Sequence, residues 1–292
     1  MARSDSFIIM TDSAGDLPYE FLEKQNVPCV DLTFLFEKAG DSYRNRDLPT
    51  KEFYRRVREG EVAKTSAANP EAFTEEFKKA LDAGKDILYL GFDSAISTTV
   101  NSARIAADDI LDDYPGRRIL IVDSLCASAG EGLLVVETLK QYDAGKSIDE
   151  CYEFAMNLKP SIAHRFTVET LTYLQRGGRV SAASAFAGNL LNIKPVLHID
   201  DEGKLIPIAK ARGRKKSLEM IADAFGATVV DPENGTIIIS QADSIEDAEY
   251  LAAMLKERYN ATTDMITEIG PVIGSHAGPG TIALFFIAKS RK

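Results

Sequence analysis

ILYLGFDS, residues 87–94, is a short, uniformly apolar run that breaks off at Asp93 and Ser94. The same arrangement stands twice more in the first half of the chain, as FIIMTDS at 7–13 and RILIVDS at 118–124. Helical patterns surround these runs. Phe73, Phe77, Ala80 and Leu81 precede the middle one, and Val100, Ala103, Ala107, Ile110 and Leu111 follow it. Short strands without a polar face, alternating with helices, predict a parallel sheet covered on both sides. Its crossovers should be right-handed.

The pattern changes near Leu158-Lys159-Pro160. Just before it, Ser147 and Glu150 form a capping box for a helix through Phe154 and Leu158. Beyond it SIAHRFTV alternates, and Asp201-Glu202-Gly203-Lys204 reads as a tight hairpin between VLHID and KLIPIAK. A helix from about 214 to 225, a strand TIIIS, a helix from about 245 to 259, a strand near 262–269 and a final apolar strand complete the chain. The fold class is therefore α/β with two domains. Residues 1–158 form a mostly parallel sheet flanked by helices and residues 159–292 a mixed-sheet unit.

With 34 basic and 44 acidic side chains the net charge is −10, which argues against broad nucleic-acid binding through phosphate neutralisation. Three scattered cysteines, Cys29, Cys126 and Cys151, make no ligand or disulfide framework and suit a reducing cytoplasm. The opening MARSDSFIIM reads as no secretory signal. The uncharged stretch 269–288 is interrupted by glycines, prolines and His276 and is too broken for a membrane span. No metal or cofactor pattern and no phosphate-binding loop are present: GxxxxGK[ST] is missing, and no GxGxxG follows a strand.

Ligands of open α/β sheets collect beyond the carboxyl ends of the strands, where helix N-termini offer free N–H groups. Ser13, Ser94, Ser97 and Thr98 fall at such ends. Their ordinary reading, shared by Asp16, Ser124 and Ser128, is N-capping. Ser97 is the better placed cap for the helix beginning near Thr98, which leaves Ser94 without that duty. Asn69-Pro70 already opens the next helix, so Thr65 and Ser66 read as loop residues, either idle or donating hydroxyls to a ligand. His164 and His198 sit in strand patterns and read as structural. His276, in what reads as a loop with Gly274, Gly278 and Gly280, reads as functional because glycines permit a close backbone approach. An imidazole and several hydroxyls beside the apolar IALFFI suggest an amphipathic ligand.

Two basic features stand out in an acidic protein. Arg179 follows Arg176-Gly177-Gly178, where a glycine closes a helix in left-handed conformation, and reads as a domain clamp or a partner contact. Lys210, Arg212, Arg214, Lys215 and Lys216 crowd seven residues. They read as a solvated corner or as a docking surface for an acidic or phosphorylated partner.

TDSAGDLP at 11–18, KTS at 64–66, SAIS at 94–97, DSLCASAG at 123–130, YLQRGGRVS at 173–181, KP at 194–195 and IGPVIGSHAGPG at 269–280 together resemble the DegV family along nearly the whole chain. The resemblance implies two α/β domains with a long-chain fatty acid between them. It also implies a non-catalytic role as the binding subunit of a bacterial fatty acid kinase, whose catalytic subunit turns the carboxyl into an acyl phosphate. The carboxylate is then held by Thr65, Ser94 and His276, with Ser66, Ser97, Thr98, Ser13 and Gly278 as further candidates. Arg179, Arg212, Arg214 and Lys215 become candidates for kinase docking. The chain departs from the family at Thr65-Ser66-Ala67-Ala68-Asn69, where TSQPS is common, and at Ser97-Thr98-Thr99-Val100, where SGTY is common.

Three rival readings are weighed, one of them an interaction protein whose cleft takes no ligand. A serine hydrolase built on Asp12, Ser94 and His276 lacks the GxSxG elbow. A stand-alone phosphotransfer enzyme lacks a Walker loop and a metal-binding carboxylate cluster.

Overall fold

The structure, a computed structural model, describes residues 5–38, 40–181 and 192–291; the first four residues of the chain's opening lie outside them. The strands predicted from the repeated Asp-Ser runs are β1 (Phe7–Asp12), β6 (Asp86–Gly91) and β7 (Ile119–Asp123). They are joined by the short β2 (Cys29–Val30) in a parallel sheet of order β2-β1-β6-β7. Its two faces alternate along each strand. Ile8, Met10, Ile87 and Tyr89 pack against α3 (Pro70–Asp82) and α4 (Thr99–Ile110). Phe7, Ile9, Leu88 and Leu90 face α5 (Ala129–Asp143) and α6 (Ile148–Leu158).

The second unit is a six-stranded mixed sheet of order β10-β9-β8-β13-β11-β12. Its strands are β8 (Ile162–Thr167), β9 (Ile193–Ile199), β10 (Leu205–Arg212), β11 (Ile237–Gln241), β12 (Met265–Glu268) and β13 (Ile282–Ile287). One face carries α8 (Arg214–Thr228) and α9 (Ile245–Tyr259), which bury Leu218, Phe225 and Leu251 against Leu284 and Phe286. The other face packs on α5, whose Leu133, Leu134 and Leu139 share a core with Phe166, Ile238 and Phe285. This helix is buried along most of its length because a sheet lies on each flank.

A third sheet was not legible in the sequence: β3 (Thr33–Phe36) lies between β4 (Ser42–Arg44) and β5 (Ala63–Ser66), all antiparallel. It is anchored by Phe34 and Phe36 against Phe53 of α2 (Thr50–Arg58). The remaining helices are α1 (Tyr19–Gln25), α7 (Thr172–Arg176) and α10 (Pro271–Ala277). Two local expectations change here. Thr65 and Ser66 belong to a strand, and His276 stands on the last turn of a helix instead of in a loop.

Other local readings agree with the structure. Ser147 and Glu150 form the capping box, Asn69 caps α3 with Pro70 at its first position, and the β9–β10 turn closes through the Asp200 carboxylate onto the Glu202 and Lys204 N–H groups. Gly178, at φ +72, ends α7.

Candidate functional site

The site is built from both units. Thr65 comes from β5, Ser94, Ser97 and Thr98 from the loop between β6 and α4, and His276 from α10. All five, with Ser66 and Arg179, line one cavity of about 660 Å³, within the ~300–1,000 Å³ of ordinary small-molecule sites. The rest of its wall is mostly apolar: Phe92 from the first unit, and Phe166, Leu174, Ile199, Val272 and Phe285 from the second.

Thr65 Oγ1 lies 2.8 Å from His276 Nε2. Among the described residues, His276 Nδ1 is buried without a hydrogen-bond partner, pressed against Gly177 so closely that an added Cβ there would come within 2.1 Å of it. Burial, helped by the positive charge of Arg179, pushes the His276 pKa down to about 4. The imidazole is therefore neutral near pH 7. With Nδ1 facing no acceptor, the tautomer protonated on Nε2 leaves only a lone pair unmet and frees the Thr65 hydroxyl to donate elsewhere.

Ser94 is exposed, its N–H held by the Asp123 carboxylate at 3.2 Å. Ser97 Oγ accepts from Thr99 N at 3.2 Å and pairs with Thr99 Oγ1, so it serves the start of α4 as well as the wall. Thr98 is the N-cap residue of α4 without a side-chain capping bond, and Ser66 is exposed at the end of β5.

Ser13 and Gly278 are not among the lining residues. The Ser13 hydroxyl is buried and accepts from Leu32 N at 2.9 Å. Gly278, at φ +79, closes α10 against the Tyr173 ring. Ser13, read as a cap, does not cap the first turn; the neighbouring Asp12 does, through Ala14 N. Ser124 accepts from Cys126 N, and Ser128 instead donates to the Asp16 carboxylate at 2.5 Å.

The cations separate into two kinds. Arg179 reaches across the units: its Nη2 donates to the Ile96 carbonyl at 2.9 Å, as a clamp does. Arg214 is spent internally, with Nε on Asp247 at 2.8 Å and Nη2 on the Gly280 carbonyl. Arg212 and Lys215 are exposed, and Lys215 lies 6.0 Å from the Tyr250 ring centroid.

His164, read as structural, also touches the cavity. Its Nε2 accepts from Ala127 N at 3.2 Å, so its proton sits on Nδ1, which donates to the Ile162 carbonyl at 3.2 Å. Both nitrogens are committed. His198 donates from Nδ1 to the Arg291 carbonyl at 3.3 Å.

Two residues that hold the site escaped the sequence reading. Asp16 was read only as a cap and Asn45 was not singled out, yet both bind the start of α10, as developed below. Among the described residues no group of three or more His, Cys, Asp or Glu side chains is placed to hold a metal. None of their helices is long and apolar enough to cross a membrane.

The fold recurs in known proteins. A DegV domain-containing protein of Clostridium perfringens is 42% identical over 288 residues, covering 98% of this chain and 99% of that one. One from Lactococcus lactis is 34% identical over the same shares of both chains. Among solved structures, a DegV family protein of Thermus thermophilus described as binding fatty acid superposes with a TM-score of 0.87 at 31% identity, over 97% of this chain and 99% of its own. A DegV lipid-binding protein of Thermotoga maritima does so with a TM-score of 0.87 at 30% identity, over 98% and 100%. The model of the DegV family, a family of uncharacterised proteins, matches residues 6–289. With two α/β units closing on a shared cavity and motifs that run nearly from end to end, the chain belongs to the DegV family.

Proposed function

We propose that this protein binds a long-chain fatty acid in the cavity and presents its carboxylate to a partner kinase, which converts it to an acyl phosphate. The observation that carries the reading is the Thr65–His276 pair set in the wall of a largely apolar cavity of about 660 Å³. The fatty acid bound by relatives of known structure supports the same ligand class. Each buried methylene contributes ~0.8 kcal/mol, so a chain of about fourteen contributes on the order of 11 kcal/mol before ordering costs. The carboxylate is the unfavourable end and has to be met by charge-assisted hydrogen bonds. Thr65 and Ser94 hydroxyls are the donors in this reading, with His276 orienting Thr65.

The protein then acts as a carrier and not a catalyst. Arg212 and Lys215 are the candidates for kinase docking, while Arg179 and Arg214 keep the cavity and its surroundings in shape. We also place the domain boundary at 158/159 and the protein in the cytoplasm. Organic extraction of purified protein followed by mass spectrometry tests the reading. A stoichiometric fatty acid that disappears in a Thr65→Ala, His276→Ala double variant supports it, and an extract without acyl chains from protein that also fails to take up added hexadecanoate refutes it. A second assay, acyl-phosphate formation with the kinase and ATP but not with either protein alone, tests the presentation step.

A further inference from the structure

The helix that carries His276 has no cap of its own. Gly270, at its N-cap, has no side chain, and Pro271 has no N–H to satisfy. The groups that answer its first N–H donors come from the other end of the chain. Asp16 Oδ1 accepts from Gly270 N at 2.9 Å, and Asn45 Oδ1 accepts from Val272 N at 2.9 Å. Both acceptors are themselves fixed. Asp16 is buried, stands in left-handed conformation at φ 47, and holds the Ser128 hydroxyl on Oδ2 at 2.5 Å. Asn45 is buried, donates from Nδ2 to the Ser13 carbonyl at 3.1 Å and from its backbone to the Leu32 carbonyl at 3.0 Å. Alongside, Tyr54 donates to the Ile269 carbonyl at 2.7 Å.

We propose that Asp16 and Asn45 are positioning residues for the carboxylate site, capping the His276 helix from the first unit and thereby setting the imidazole against Thr65. The proposal rests on the fatty-acid reading above for its ligand and on geometry alone for its mechanism. His276 stands four residues after Val272, one turn up the same face of a seven-residue helix. A helix this short has no length in which to absorb a shift at its start. Losing either cap lets the N-terminus move, and the 2.8 Å contact between His276 Nε2 and Thr65 Oγ1 moves with it. The two caps also belong to the unit that supplies Thr65, so both members of the pair are referred to one frame. A general packing role would weaken every ligand alike. A positioning role weakens only ligands that carry a carboxylate.

The test compares hexadecanoate with 1-hexadecanol, which has the same chain and no charge, on full-length wild type, Asp16→Ala, Asp16→Asn and Asn45→Ala. Asp16→Asn keeps an acceptor for Gly270 N and is the rescue control. The expected result is that Asp16→Ala and Asn45→Ala each lower the hexadecanoate-to-hexadecanol affinity ratio about tenfold, the order expected for a disturbed hydrogen bond to a charged group. Asp16→Asn should hold the ratio near that of wild type. An unchanged ratio in both alanine variants overturns the proposal. NMR of the His276 ring supplies a readout that needs no ligand: its low pKa should rise in Asp16→Ala and Asn45→Ala and hold in Asp16→Asn. If wild type bound no hexadecanoate, the fatty-acid reading would fall, while the ring titration would still decide the capping. If Asp16→Ala does not fold, Asn45→Ala decides it alone.

Discussion

Thr65 and His276 are 211 residues apart in sequence, and Oγ1 of one lies 2.8 Å from Nε2 of the other. No local element links them. The contact exists because β5 and α10 are packed together, so it reports directly on whether the two units are assembled around the cavity.

Replacing Thr65 by Val keeps the volume and a β-branched residue in a strand, and removes only the hydroxyl. Hexadecanoate affinity is expected to fall about tenfold, the order of one hydrogen bond to a charged group, with no change in melting temperature beyond a few degrees. Calorimetric titration of the delipidated protein measures it. Affinity equal to wild type would remove Thr65 from the head-group site.

The His276 ring makes binding pH-dependent, with a definite sign. In the empty protein its pKa lies near 4, below the ordinary 6.5, because burial and Arg179 disfavour the cation. A carboxylate brought beside it favours the cation and raises that value. The complex therefore takes up protons that the empty protein does not, and affinity strengthens as pH falls from neutrality toward the raised value. Titrations in two buffers of different ionisation enthalpy should show proton uptake in wild type and none in His276→Gln. Affinity that is flat with pH counts against a carboxylate lying close enough to Thr65 and His276 for its charge to be felt at the ring.

Gly177 offers a steric probe that leaves the backbone alone. Its φ of −74 suits alanine, and the added Cβ would meet the His276 ring first, at 2.1 Å from Nδ1. Gly177→Ala is expected to fold, to displace the imidazole, and to lower hexadecanoate affinity in the same direction as His276→Ala. Circular dichroism and the same titration check it, and a variant that binds like wild type shows the ring position to be irrelevant.

The basic corner separates into exposed cations and one that is bound internally. Charge reversal at Arg212 and Lys215, both exposed, should leave the melting temperature within a few degrees, since surface changes of this kind cost within ~0.5 kcal/mol. It should also slow acyl-phosphate formation by the kinase. Arg214→Glu should instead lower the melting temperature, because it places a carboxylate against Asp247 and the Gly280 carbonyl. Equal kinase rates for wild type and the Arg212→Glu, Lys215→Glu variant would discard the docking surface.

Much of this was legible in the linear sequence. The three Asp-Ser runs define the parallel sheet because strands buried on both faces need continuous apolar residues, and such runs are conspicuous. The same signal is absent from β5, where Lys64 and Ser66 are exposed and only four residues pair, so Thr65 read as loop. The α10 helix hid for a different reason. Capping signals are sought within three residues of a helix start, and here the capping groups stand at Asp16 and Asn45, some 254 and 227 residues away. Arg214 looked like a surface charge among surface charges, since a sequence does not show that Asp247 and Gly280 come to meet it. Of the hydroxyls at strand ends, those of Ser94, Ser97 and Thr98 line the cavity and that of Ser13 does not. Only packing separates Ser94, at the cavity, from Ser13, whose hydroxyl is turned to Leu32 N.

The strand latest in the chain, β13, is the one that joins the six-stranded sheet together, with β8 on one side and β11 on the other. Until Ile282–Ile287 is in place, the second unit is two unconnected ribbons, β10-β9-β8 and β11-β12. Ala283 and Phe285 of that strand also line the cavity. During synthesis the wall of the cavity therefore stays incomplete for as long as the ribosome still holds these residues.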